Sequence, residues 1–360
     1  MMMVHTARDT DGNCIVASSK QWLCSESLLE IAQRLCKEKK QLPAATESKE
    51  CSILFMGNKG VGKTSLIYRF LDRNETAKPT LALEYAYGRK SGKSLVKDVC
   101  HIWELGGGTL FSGLLQAPLA SCQSQGLKNL TVVLMLDLSL PKQLWLTLET
   151  LIQALLSALR RQTGSHLQEL QEEAWLRVGK DHQDKEYLDP FPVQLVILGG
   201  KYDLFQEFDP EKKKIVCRSL RYVAHTLGAT LLFYSHRDTG LVKKAKDVLN
   251  HHAFGALPVK GISQDYNNPL LIPAGSDSME QIGRGFGSFP QKGAGSALER
   301  WKHSFTTHFP QEAETNAIPD DPAKDLNFRE PLIDSLRAQK DEELERYRQE
   351  AEKRQQHQQN

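Results

Sequence analysis

Nothing in this 360-residue chain approaches the run of roughly 18 consecutive apolar residues that a membrane-spanning helix needs. Residues 1–20 also lack the apolar core of a secretory signal, so a soluble, intracellular protein is expected. Cysteine is sparse and unpatterned: the seven at Cys14, Cys24, Cys36, Cys51, Cys100, Cys122 and Cys217 are odd in number and contain no C-x-x-C pair. That excludes a disulfide framework and a thiolate zinc site and favours a reducing compartment. The eleven histidines show no ligand spacing either, and the doublet His251-His252 reads as a helix surface, which leaves Mg²⁺ as the expected metal. An excess of one charge sign is missing too. With 46 Lys and Arg against 44 Asp and Glu the formal net charge is +2, too little for sequence-independent nucleic-acid binding. The run Lys212-Lys213-Lys214 reads as the solvated start of a helix, and no internal repeat is found.

What is present is a phosphate-binding loop. Gly57-Asn58-Lys59-Gly60-Val61-Gly62-Lys63-Thr64 satisfies G-x-x-x-x-G-K-[ST] at every fixed position, and Ser65 follows it. The glycines let backbone N–H groups turn inward around phosphate oxygens. Lys63 supplies a point charge to the terminal phosphates, and the Thr64 hydroxyl suits Mg²⁺. The context fits: Cys51 to Met56 is a short β-capable apolar run, and Leu66 to Leu71 carries apolar residues at helical spacing. Strand, loop and helix follow one another in the order the motif requires.

The 40% hydrophobic content supports a real core, arranged as α/β. Residues 1–20 are polar and irregular, an expected disordered N-terminus, and an N-terminal helix is predicted over 21–48. A Ras-like P-loop domain with a mostly parallel sheet is predicted over 49–258. Its further strands are Leu81 to Tyr87, Val99 to Leu105, Leu130 to Leu138, Val193 to Gly199 and Thr230 to Tyr234. One long helix carries Leu144 to Leu159. Another opens at Asp209-Pro210, a capping residue and a first-turn proline, and stops at Gly228. Residues 160–190 are long and charged for a connection and read as an insertion. Residues 259–325, with the Gly, Ser and Pro-rich part Pro273 to Ala297, read as an extended linker. The tail at 326–360 is a densely charged helix former, with Glu342/Arg346 and Glu350/Arg354 at i, i+4. It reads equally as a solvated helix or as an assembly segment that orders on a partner.

The other elements of a GTP-binding domain are altered or partial. Thr80 precedes the second strand, where a switch threonine would reach Mg²⁺ and the γ-phosphate. Trp103-Glu104-Leu105-Gly106-Gly107-Gly108 stands where active Ras-like GTPases have Asp-x-x-Gly-Gln. Glu104 replaces the aspartate, and Gly108 replaces the glutamine that orients the attacking water. The base-recognition motif Asn-Lys-x-Asp becomes Gly200-Lys201-Tyr202-Asp203, in which Lys201 and Asp203 remain and the bracing amide is gone. Loss of that hydrogen bond is expected to weaken affinity by about 0.5 to 1.5 kcal/mol. Ser235 lies where a Ser-Ala-Lys turn would contact the base, although His236-Arg237 does not match it. An ATPase reading competes through Asp137 at the end of Val132 to Leu136, a Walker B form, but a loop-capping role suits the order of the remaining elements better.

The stretches Lys78 to Arg89, Trp103 to Gly108, Asp189 to Val193 with Gly200 to Asp203, Leu220 to His225 and Asn268-Pro269-Leu270 together resemble the dynein light intermediate chain family, over roughly residues 25–350. The resemblance implies a non-catalytic subunit of the cytoplasmic dynein 2 motor that binds the heavy chain and other subunits. It also implies support of retrograde intraflagellar transport and cilium assembly. The implied locations are the cytoplasm, the cytoskeleton, the ciliary axoneme and the basal body or centrosome. Carried onto this sequence, the phosphate-binding positions are Gly57, Gly62, Lys63, Thr64 and Ser65; the motif reading adds Gly60, Thr80, Lys201 and Asp203, for GTP or GDP, with Thr64 and Thr80 toward Mg²⁺. A slow GTPase-type switch is the alternative function.

Overall fold

The computed structural model describes residues 50–91, 97–108, 110–123, 126–283, 296–313 and 329–359. The expectations for residues 1–20 and 21–48 lie outside these. Seven strands form one sheet: β1 (Glu50–Gly57), β2 (Leu83–Ser91), β3 (Lys97–Leu105), β4 (Leu130–Asp137), β5 (Gln194–Gly200), β6 (Thr230–Phe233) and β7 (Leu271–Ile272). Their order is β2-β3-β1-β4-β5-β6-β7. The five strands from β3 to β6 run parallel, and β2 and β7 close the two edges antiparallel. This is the α/β class expected from the alternation of strands and helices.

The central strands are near-continuous apolar runs because both of their faces are covered. In β4, Val132, Leu134 and Leu136 join one core while Val133 and Met135 join the other. Helices α1 (Lys63–Phe70) and α7 (Thr239–Phe254) cover the second face through Leu66, Phe70, Ala245 and Leu249. The first face is covered by α2 (Gln116–Gln123), α3 (Pro141–Thr163) and α6 (Pro210–Thr226). Local chemistry sets the ends: the Asp209 carboxylate accepts from Glu211 N ahead of α6, and Asp238 accepts from Gly240 N and Leu241 N ahead of α7. Residues 160–190 finish α3 and then add α4 (Leu167–Val178).

Two expectations need correcting. Within 259–325, described residues form part of the domain: β7, α8 (Met279–Ile282) and α9 (Ala297–His308) pack on it, with Leu270, Ile282, Trp301 and Phe305 in the core. Trp301 stacks on Tyr222 at 4.8 Å between ring centroids, and a buried Arg221–Asp277 ion pair at 2.7 Å ties the segment to α6. Glycine and proline there mark turns between packed pieces. The doublet His251-His252 is likewise no plain surface: His251 Nδ1 meets Ala256 O at 2.6 Å, and His252 Nδ1 meets the Gln194 side chain at 2.7 Å. Helix α5 (Tyr202–Phe205) is a single turn after β5. The helix α10 (Pro331–Gln359) is exposed along the part whose side chains are described, and Leu332 and Tyr347 are among its uncovered residues.

Candidate nucleotide site

The site gathers at the carboxyl ends of β1, β3, β4 and β5, where an open parallel sheet places its ligand crevice. Gly57 ends β1 with a φ of 149°, and a Cβ there would stand 2.3 Å from Met135 O, so only glycine fits. Gly60 (φ 75°) and Gly62 (φ 101°) turn the loop through left-handed conformations, and no atom lies within 4 Å of where their Cβ atoms would be. That open side lies at the N-terminus of α1, where N–H groups and the helix dipole favour an anion. Lys63 is buried, its Nζ donating to Gly57 O at 2.7 Å and Asn58 O at 2.9 Å. The loop is held further by Asn58 Nδ2, which donates to the Thr147 hydroxyl at 2.9 Å. Ser65 follows in the first turn of α1.

The cation end is also assembled. Thr64 donates to Glu104 Oε1 at 2.8 Å, and its hydroxyl lies 3.4 Å from that of Thr80, which donates to Glu84 Oε2 at 3.1 Å. The longer glutamate therefore still reaches the threonine of the loop. Burial pushes the Glu104 carboxyl above its ordinary range, while the Thr64 hydrogen bond and the Lys63 charge oppose the shift. Gly107 and Gly108 both have positive φ, at 65° and 60°.

The base end is paired internally. Asp203 Oδ1 accepts from the Ser235 hydroxyl at 2.7 Å, and its other oxygen lies 3.3 Å from the exposed Arg237 guanidinium. Lys201, at a φ of 56°, donates to Asp137 Oδ2 at 2.6 Å. Asp137 Oδ1 accepts from both Ser139 N and the Ser139 hydroxyl, which is a loop cap. Gly200 abuts the phosphate loop: a Cβ on it would stand 3.0 Å from Val61 O. Glu84 and the pairing of Arg237 with Asp203 were not legible in sequence, since neither belongs to a spaced motif. The residues present suit a nucleotide: the loop is open at Gly60 and Gly62, and Asp203 is paired on one oxygen only with an exposed arginine. Thr64, Thr80 and Glu104 stand together on the side where Mg²⁺ belongs.

Comparison with known proteins bears on the whole chain. Residues 19–190 match the family model described as dynein light intermediate chain. Three similar proteins carry the name cytoplasmic dynein 2 light intermediate chain 1. The one from Mus musculus is 42% identical over 90% of this chain and 95% of its own length. That from Homo sapiens is 42% identical with the same two coverages. The Danio rerio protein is 44% identical over 83% of this chain and 86% of its own. Among solved structures, the conserved domain of a dynein light intermediate chain aligns with a TM-score of 0.51 at 18% identity, over 66% of this chain and 85% of that one. The last likeness speaks for the fold alone.

Proposed function

The chain belongs to the dynein light intermediate chain family, and from that premise we propose that it is a non-catalytic subunit of the cytoplasmic dynein 2 motor. The observation that carries this reading is the likeness to the dynein 2 light intermediate chains over nine-tenths of the chain. In this role it binds the motor heavy chain beside the other subunits and supports retrograde intraflagellar transport and cilium assembly. It resides in the cytoplasm, on the cytoskeleton, in the axoneme and at the basal body or centrosome. Its Ras-like domain serves as a rigid body on which that assembly is built, and the described residues contain no helix long and apolar enough to cross a membrane.

The nucleotide site has a supporting part. GTP or GDP with Mg²⁺ sits with its phosphates in the loop Gly57 to Ser65, near Lys63 and Thr64. Its cation lies at Thr64 and Thr80, and its base lies toward Lys201 and Asp203. A bound Mg²⁺ supplies charge neutralisation of the phosphates. With glycine at 108 the chain orients no water for attack, so the nucleotide acts as a long-lived structural element. The chain of contacts from Thr64 through Thr80 to Glu84, at 3.4 and 3.1 Å, favours a second reading, in which nucleotide state reaches strand β2 as a slow switch.

Affinity purification of the tagged full chain from ciliated cells tests the assignment: the dynein 2 heavy chain is expected in the eluate, and its absence overturns the reading. Mass spectrometry of nucleotide released from the native protein tests the pocket. Retention of heavy chain by Lys63→Ala after loss of nucleotide would eliminate the switch.

A further inference from the structure

Away from the nucleotide site, helix α7 and the segment that follows it enclose a groove of about 590 Å³. Its walls carry Lys90, Lys243, Lys244 and Lys260 against a single acid, Asp247. Four lysines opposed by one aspartate give this small region a larger positive excess than the +2 of the whole chain. Among the described residues none of the four has a carboxylate partner. Lys246, two positions beyond Lys244, is the contrast: it pairs with Asp72. Lys90 is held over the Phe254 ring at 5.6 Å, which fixes its position and leaves its charge uncompensated.

The opposite wall is an irregular segment with two further properties. Leu257 is 83% exposed and Ile262 is 54% exposed, large apolar side chains with no cover. Among the described residues, no backbone N–H from Leu257 to Ile262 donates to another backbone group, and pairing resumes at Ser263, whose N–H reaches Leu271 O at 2.9 Å on the sheet edge. Charge, apolar ledge and unpaired backbone thus lie side by side.

We propose that this groove is a docking site for an extended acidic segment of another polypeptide. Its carboxylates meet Lys90, Lys243, Lys244 and Lys260, an apolar side chain covers Leu257, and its backbone pairs with the segment before Ser263. Main-chain pairing supplies affinity and the lysines supply the choice of partner. The backbone N–H groups before Ser263 that pair with no described backbone group suit a polypeptide better than a bilayer surface, and among the described residues no aromatic ring lines the groove for base stacking. The inference concerns a different surface from the nucleotide site and stands or falls apart from the motor assignment.

The test uses the full chain and a fluorescein-labelled Glu-rich peptide of about ten residues with one leucine, followed by anisotropy at low salt, where charge contacts between exposed groups are least screened. The triple variant Lys243→Glu, Lys244→Glu, Lys260→Glu is expected to weaken binding at least about tenfold, near 1.4 kcal/mol. A control with the same change of net charge, Lys212→Glu, Lys213→Glu, Lys214→Glu at the start of α6, is expected to stay within about twofold, because long-range charge alone is a weak, screened effect. Leu257→Asp is expected to weaken binding separately, and circular dichroism verifies that each variant folds. Failure of the parent protein to bind the peptide overturns the proposal. So does equal weakening by the two triple variants, or capture of phosphatidylserine vesicles or a single-stranded oligonucleotide with the same lysine dependence in place of the peptide.

Discussion

Replacing Gly200 by asparagine restores the residue that guanine-binding domains carry at this point, and simple motif reasoning expects tighter binding. The structure predicts the reverse. A Cβ at residue 200 stands 3.0 Å from Val61 O, 3.5 Å from Val61 Cγ2 and 3.6 Å from Leu136 O, on a buried strand end. The first contact is with the backbone of the phosphate loop, which cannot rotate away as a flexible side chain would. Overfilling of this kind costs about 1 to 3 kcal/mol, against about 0.5 to 1.5 kcal/mol for the one hydrogen bond regained. In a domain of this size each kcal/mol moves Tm by about 2 to 4 °C, so a fall of about 2 to 12 °C is expected. Gly200→Ala carries the same Cβ and shares most of the loss without the amide, which separates sterics from hydrogen bonding. Differential scanning fluorimetry reads the first quantity, and calorimetry with GDP against ADP reads the second. An asparagine variant as stable as the parent that bound GDP tenfold more tightly would refute the reasoning.

Two other consequences are measurable. The Asp277 carboxylate accepts from Arg221 Nε at 2.8 Å and Nη2 at 2.7 Å, from Gln264 at 3.1 Å and from Ser278 N at 2.9 Å. Among the described residues, Arg221→Met leaves the acid two donors, whereas Asp277→Ala leaves the buried guanidinium Gln264 O alone, at 3.4 Å. Urea unfolding should therefore show Asp277→Ala at the upper end of about 3 to 5 kcal/mol and Arg221→Met at the lower, and the opposite order would be incompatible with this account. His252 is held neutral down to about 4 by burial, with the neighbouring His251 adding to the effect. The unfolded chain takes up that proton near 6.5 and the folded chain does not, so stability is full above 6.5 and declines toward pH 4. The decline attributable to this group is at most about 3 kcal/mol. Chemical denaturation of His252→Gln should lose that part of the acid slope, and an unchanged slope would assign it elsewhere.

The parts legible in sequence were those set by local pattern. The strand and helix flanking Gly57 to Ser65, the central apolar strands and the Asp209-Pro210 helix start each depend on residues a few positions apart, and each lies where the sequence places it. The linker misreading has a specific cause: Pro273, Gly275 and Gly283 mark turns, but what holds that segment is Trp301 on Tyr222 and Asp277 on Arg221, contacts between residues more than 50 positions apart. No local window contains them. The same applies to the base end of the site, where Arg237 meets Asp203 only because β6 lies beside β5. Glu104 is the opposite case. Its departure from aspartate was plain in the sequence, but whether the extra methylene breaks the link to the loop is a matter of distance, and 2.8 Å to the Thr64 hydroxyl shows the link kept.

That contrast separates what the fold needs from what a ligand needs inside the loop itself. Gly57 and Lys63 have work to do in the protein alone: one lies against Met135 O, and the other satisfies two loop carbonyls. Gly57→Ala should therefore lower stability whatever the nucleotide does. Gly60 has no such constraint, because nothing stands within 4 Å of its Cβ position and only its φ of 75° restricts the choice of residue. Asparagine enters left-handed conformations more readily than other side chains. Gly60→Asn should then remain within about 1 kcal/mol of the parent in unfolding experiments, roughly the penalty for a non-glycine residue in that conformation. Its side chain would occupy the open side of the loop proposed for phosphate, and GDP binding by calorimetry should fall more than about tenfold, the equivalent of about 1.4 kcal/mol. A folded Gly60→Asn protein with undiminished GDP affinity would place the phosphates somewhere other than this loop.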